Sequence, residues 1–209
     1  MTIRIKISLL ACLLLFLINH SHAQRFGAAL LAGPNISQVQ GDELAGYHKL
    51  GITGGLKGIT YINETWNVNI ELLFTQKGSR NDLVPDNSIP RIGLDLNYVE
   101  VPIYAEIKDW EVEDEDGSSY SKVSAHAGFS YGRLISSDVL ELPDLLIEEF
   151  KNNDFSYLVG LRFQWNKHWA VSGRYSRSIL SAADVEDQGS DAIRKFYPYS
   201  IAFRLEYVL

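Results

Sequence analysis

Cysteine occurs once in this chain of 209 residues, at Cys12, and methionine once, at the first position. A chain so poor in thiols cannot rest on a disulfide framework or on thiolate metal sites, so its stability must come from elsewhere. Basic residues are outnumbered, 19 Lys+Arg against 26 Asp+Glu. That balance excludes the electrostatic footprint of a nucleic-acid binder or a polybasic membrane patch. Histidine is sparse, and beyond residue 23 only His48, His126 and His168 are found. Helix-forming stretches are scarce, and no apolar run reaches the ~20 residues of a spanning helix.

The longest apolar run, ISLLACLLLFLI at 7–18, follows Arg4 and Lys6 and precedes NHSHA, with Ser21 and Ala23 at small-residue positions. Basic head, apolar middle and small-residue end predict a secretory signal peptide over residues 1–23, leaving 24–209 as one domain. A lipid-attachment box around Cys12 has the wrong order, because most of the apolar run follows that cysteine. Cleavage would remove the only cysteine and two basic residues but no acidic one, making the remainder more acidic still.

What is abundant is alternation. In DFSYLVGLRFQW (154–165), Phe155, Tyr157, Val159, Leu161, Phe163 and Trp165 share one parity, and Ser156, Leu158, Gly160, Arg162 and Gln164 the other. Successive side chains of a strand point to opposite faces, so the stretch has one apolar and one mostly polar face. The pattern recurs at 25–33, 49–62, 66–78, 97–108, 122–132, 169–177 and 199–209, predicting eight strands. Several exceed the usual ~5–6 residues and match the ~9–11 that a tilted strand needs to cross a bilayer.

The connections alternate as well. Residues 63–65, 109–119 and 166–168 read as mostly short turns, and 34–48, 79–96, 133–153 and 178–198 as long polar loops. That rhythm is expected of an all-β, eight-stranded antiparallel up-and-down transmembrane barrel, with short periplasmic turns and longer outer loops. Trp66, Trp110, Trp165 and Trp169 fall beside the short turns, where an aromatic girdle meets lipid headgroups. Eight strands enclose only enough room for side chains, so the interior should be filled. Glu71, Glu100, Glu106, Lys108, Arg162, Arg174, Arg204 and Glu206 are the candidates to fill it, with opposite signs meeting across neighbouring strands. The result would be a plug without an open pore. A soluble lipocalin-like binding module is the rival architecture, with the apolar face packed inward.

The segments AGPNISQVQGDELAGYHKLGITGGL (32–56), IELLFTQKGSR (70–80) and LNYVEVPIYAEIK (96–108) resemble the PorT-like family of small outer-membrane β-barrels. The matching positions are Gly46, Tyr47, Lys49 and Gly51, then Gln76, Lys77 and Gly78, then Tyr98, Glu100 and Pro102. The resemblance covers essentially all of residues 24–209 and implies Gram-negative outer-membrane location. It implies architecture more than activity. The family's usual aromatic last residue is replaced by Leu209, with Tyr207 two positions earlier.

Catalysis finds little support. A hydrolase needs His, Ser and an acid converging at one accessible rim. His126, with Ser124 and Ser130 on its parity, sits inside a strand, and His168 is in a short turn. His48 alone could serve a small lipid-modifying hydrolase. The acidic run EVEDEDG (111–117) lacks calcium-loop spacing, since Val112 and Val123 stand where acidic ligands belong. PDLLIEEFKNN (143–153) has helical character and could cap the barrel mouth or meet a partner. No catalytic, cofactor-binding or metal-binding residue is assigned, and no cofactor is expected. The expected partners are outer-membrane lipid and, through the long loops, other envelope proteins, in a structural or interaction role.

Overall fold

Alternating apolar and polar residues form long strands here, and the apolar ones point away from the interior. The structure, a computed structural model, describes residues 26–40, 49–80, 93–113, 117, 119–140, 150–186 and 193–209. Its strands are β1 (Phe26–Gln40), β2 (Lys49–Tyr61), β3 (Trp66–Arg80), β4 (Gly93–Glu113) and β5 (Ser119–Leu140). They continue as β6 (Asn153–Gln164), β7 (Trp169–Ser178), β8 (Ala183–Glu186) and β9 (Ile193–Val208). Each strand pairs antiparallel with the next through β7, β7 pairs with β9, and β9 pairs back onto β1. The result is a closed eight-stranded antiparallel barrel, with β8 as a short extra strand on β9. Closure leaves the wall without an edge.

The faces are inverted relative to a soluble protein. On β3, Val68, Ile70, Leu72 and Phe74 are exposed while Asn67, Asn69, Glu71 and Thr75 are buried. On β6, Tyr157, Val159, Leu161 and Phe163 are exposed while Ser156, Leu158, Arg162 and Gln164 are buried. The lipocalin-like alternative required the opposite, so its inward-packed apolar face is overturned. Close approach of neighbouring strands requires glycine on β2, where a Cβ on Gly55 would lie 1.9 Å from the Leu72 carbonyl oxygen.

Strands run further toward the long-loop end than alternation suggested. The loops expected at 34–48, 79–96 and 133–153 begin as continuations of β1, β3 and β5, and β4 starts at Gly93. The fourth, 178–198, contains β8 and the start of β9, paired from Ala183↔Phe196 to Glu186↔Ile193. Polar composition had hidden these extensions, because both faces change character there. Val39, Leu94, Leu96, Tyr98, Ala183 and Phe196 form a buried apolar cluster inside this end, and Leu134 and Phe150 pack against it. Residues 150–153 are the described part of the expected helical segment and are not helical, Asn153 being the first residue of β6; residues 141–149 lie outside the described residues, as do His48 and residues 1–23.

At the opposite end two turns share the pattern Asn-x-x-Trp. Asn63 Oδ1 accepts from the backbone N–H of Thr65 and Trp66 at 2.9 and 2.7 Å. Asn166 Oδ1 likewise accepts from His168 and Trp169 at 2.9 and 2.8 Å. Each asparagine satisfies turn amides that the ladder leaves over. Asn63→Ala or Asn166→Ala should therefore cost about 1 kcal/mol, measured by denaturant unfolding. The third connection is not a short turn. Residues 109–113 continue β4 and pair with 119–123, from Asp109↔Val123 to Glu113↔Ser119. Trp110, at φ 56 in the left-handed region, is 62% exposed, with Lys122 Nζ 5.0 Å from its ring centroid. Trp66, Trp165 and Trp169 stand partly exposed at the same end.

Candidate functional site

Inside the wall, polar side chains meet in layers along the barrel axis. At the centre is Glu71 of β3. Arg174 of β7 grips it with both terminal nitrogens, Nη1 to Oε2 at 2.7 Å and Nη2 to Oε1 at 2.9 Å. Arg204 of β9 donates from Nη1 to the same Oε2 at 3.1 Å, and the Tyr104 hydroxyl donates to Oε1. A planar guanidinium matches a carboxylate in this two-pronged way, and charge assistance strengthens each bond. β3 and β7 are four strands apart in a ring of eight, so this pair spans the lumen.

His126 belongs to the same layer. Its Nε2 accepts from Arg174 Nε at 3.3 Å, and its ring lies 5.0 Å from that of Tyr104. Space for it comes from Gly160, where a Cβ would fall 2.5 Å from Nε2. A histidine held this way, buried among arginines, supports an ion pair and has no open approach for a substrate. His168, the turn histidine, stacks on Tyr207 and bonds the Val208 carbonyl through Nδ1 at 2.9 Å.

One layer toward the short turns, Lys57 of β2 stands between Glu206 at 3.3 Å and Glu106 at 3.7 Å. Arg162 Nε donates to Glu206 Oε2 at 3.0 Å. Glu106 also accepts from Asn69 Nδ2 at 2.8 Å and Ser124 Oγ at 2.5 Å. Toward the long loops, Lys77 pairs with Glu100 at 2.5 Å and Asp154 at 3.5 Å, beneath Tyr98. Farther out, Asp95 accepts from Lys49 at 2.5 Å and from Arg80 Nε and Nη2 at 3.1 and 2.5 Å.

Seven of the eight predicted interior charges are buried in this lumen: Glu71, Glu100, Glu106, Arg162, Arg174, Arg204 and Glu206. Lys108 is the exception. It is half-buried at the short-turn mouth, with its Nζ 5.7 Å from the Tyr61 ring centroid. The expected pairing between neighbouring strands holds for Lys77–Glu100, on adjacent β3 and β4, and is corrected for the other predicted carboxylates. Glu71 is held from β7 and β9, Glu206 from β2 and β6, and Glu106 from β2, none of them adjacent to the carboxylate's own strand. In a narrow barrel, long side chains from opposite walls reach one another at the axis more readily than they fold back along a neighbour. Lys57, Lys77 and Asp154 were overlooked although each lies on the buried parity of its strand. Carrying the alternation through the glycine-rich β2 and to both strand ends would have found them.

A small cavity of about 20 Å3 lies against Arg174, Arg204 and Glu100, on the long-loop side of the central layer. Below the Lys57 layer, by contrast, the lumen widens into a mouth of about 820 Å3 at the short-turn end. Polar inside, apolar outside and closed without an edge, this is the architecture of a barrel that crosses a membrane by strands. The family model for the outer membrane protein beta-barrel domain matches residues 19–184. The chain belongs to that family.

As an outer-membrane barrel it can be set beside solved structures. Ail of Yersinia pestis is 16% identical over 88% of this chain and 99% of its own, with a TM-score of 0.47. Neisserial surface protein A is 9% identical over 87% of this chain and 96% of its own, with a TM-score of 0.46. OprG from Pseudomonas aeruginosa is 10% identical over 89% and 94%, with a TM-score of 0.43. Likeness at this level says nothing of what the present barrel binds. No curated protein matches the chain.

Proposed function

We propose that this protein is a non-catalytic outer-membrane barrel with a structural or interaction role and no open pore. The observation that carries the reading is Glu71, held across the lumen by Arg174 and Arg204. A buried carboxylate with two guanidinium partners closes the barrel axis and leaves no path for solute. The apolar outer face then contacts outer-membrane lipid, and the polar extensions beyond the ion-paired layers are the part available to envelope proteins; nucleic acid is not a partner. Residues 1–23 act as the export signal, with 24–209 as the barrel domain. A PorT-like placement within the family rests on the Gly46–Gly51, Gln76–Gly78 and Tyr98–Pro102 motifs.

The long-loop side offers the test. Removing 136–153 would cut the end of β5 and remove Phe150 from the apolar cluster. A cleaner deletion replaces residues 141–149 with a Gly-Ser linker. The expected result is an unchanged amount of barrel in detergent-extracted outer membrane, with loss of proteins that co-purify with the parent. Recovery of the parent chain in the soluble periplasm would overturn the membrane reading. A changed lipid profile in His48→Ala, with co-purifying proteins intact in the loop variant, would favour the hydrolase.

A further inference from the structure

The buried arginines of the lumen, Arg162, Arg174 and Arg204, all meet carboxylates. Two arginines on the outer face of the wall do not. Arg133 of β5 shares the outward parity of Phe129 and Tyr131, and Arg177 of β7 that of Trp169 and Val171. Arg133 Nη1 donates to Asn153 Oδ1 at 3.0 Å, an oxygen that also accepts from the Tyr131 hydroxyl at 2.8 Å. Arg177 Nη2 donates to Gln40 Oε1 at 2.5 Å. Amide oxygens orient these cations without cancelling their charge, and neither makes an ion pair among the described residues. Asp154 of β6 is held inside the lumen by Lys77, and Asp138 is exposed beyond Arg133 toward the loops. Lys151, exposed ahead of β6, has partners of its own. Height on the wall matters too. Arg177 lies opposite Tyr157 and Tyr199, four residues or roughly 13 Å of strand from the Leu161 level toward the long loops. Its reach to Gln40 carries the charge farther out, and Arg133, opposite Asn153, is higher still. The cost of a charge on the lipid face falls toward that interface.

We propose that, on the membrane reading above, this patch binds a lipid headgroup bearing two phosphates, one on Arg133 and the other on Arg177. A guanidinium holds phosphate through parallel N–H bonds, and each of these two keeps donors beyond the one its amide takes. Two strand spacings and four residues of offset separate their Cα positions, roughly 16 Å. Both side chains lean the same way around the ring, Arg133 to β6 and Arg177 over β9 to β1, which keeps the charges apart. A single phosphate does not bridge them. Tyr131, Phe155 and Tyr157 are exposed on the wall beside them, at the level where aromatic rings meet the tops of lipid chains. A free anion would leave that aromatic surface uncovered, and a zwitterionic headgroup would bring its own cation against the arginines. Long loops mark the outer side of such a barrel, so the lipid belongs to the outer leaflet.

Native mass spectrometry of the detergent-extracted barrel, titrated with defined lipids, tests the proposal. The probes are lipid A with two phosphates, lipid A with one, and phosphatidylcholine. The two-phosphate form should bind one per barrel, about tenfold more tightly than the one-phosphate form, with phosphatidylcholine weakest. Arg133→Gln and Arg177→Gln should each close the gap between the two lipid A forms, and Arg177→Lys should keep most of it. Lys122→Gln, at the opposite end of the barrel, should keep the parent's preference. Both arginines lie on the surface and bond neutral partners, so the glutamine variants should fold as the parent does. Equal affinity for the three lipids would overturn the proposal, as would a preference retained in both glutamine variants or lost equally in Lys122→Gln. Displacement of the lipid by millimolar inorganic phosphate would do the same, making this a site for any anion. A barrel that extracts from the outer membrane yet shows no lipid preference ends this proposal alone. Recovery of the chain from the soluble periplasm would end the membrane reading with it.

Discussion

Glu71→Gln will destabilise the barrel by about 3–5 kcal/mol, the usual cost of removing one partner from a buried ion pair. The loss falls on the cations left behind. Arg174 and Arg204 are both buried, and the carboxylate that each contacts at 2.7 and 3.1 Å would be gone. The amide can still accept from Tyr104 and one guanidinium, but it brings no charge to offset their desolvation. Unfolding in denaturant from lipid vesicles measures the effect. A double-mutant cycle then separates the pairs: Glu71 should couple to Arg174 by about 1–3 kcal/mol, and Glu206 should couple to Arg162. Additive effects in both cycles would mean that water reaches these charges and that the lumen is open.

The second large effect lies on the other side of the same wall. Leu161→Arg should cost about 2–4 kcal/mol, the penalty for arginine on the lipid face near the bilayer midplane. Leu161 is 65% exposed and points outward between Ala125 and Gly173 on the neighbouring strands. Along β6 it stands midway between Tyr157 and Trp165, two aromatics of the outward face. Ser121→Arg is the informative control. Ser121 lines the wide mouth, where a long cation has room and water, so the change there should stay within about 0.5 kcal/mol. Equal destabilisation by the two substitutions would sink the lipid-facing assignment.

Both effects trace to one feature of the sequence, and their particulars do not. Alternation over β3, β4, β6 and β7 was enough to determine strands, faces and the antiparallel order, because period two is a local property and each hairpin joins neighbours in sequence. It also separated Val159 and Leu161 from Arg162, and Glu71 from Leu72, without any knowledge of partners. The Asn-x-x-Trp turns were equally local, with an asparagine oxygen satisfying amides two and three residues away.

Partner choice was another matter. Residue 71 meets residue 174 only because closure places β3 opposite β7, and no pattern within either strand encodes that distance across the lumen. Lys57 was missed because its strand is rich in glycine, which blurs alternation while letting backbones approach closely. The apolar cluster around Phe196 was hidden for a related reason: its members come from five strands and from Phe150, and apart from Tyr98 each lies in a segment that taken alone reads as a polar loop. The sequence by itself therefore determined the wall, since hydrogen-bonded neighbours and side-chain parity are set residue by residue. Only the tertiary structure decided what meets inside it, because contacts across a closed barrel depend on strand number and stagger, which are properties of the whole ring.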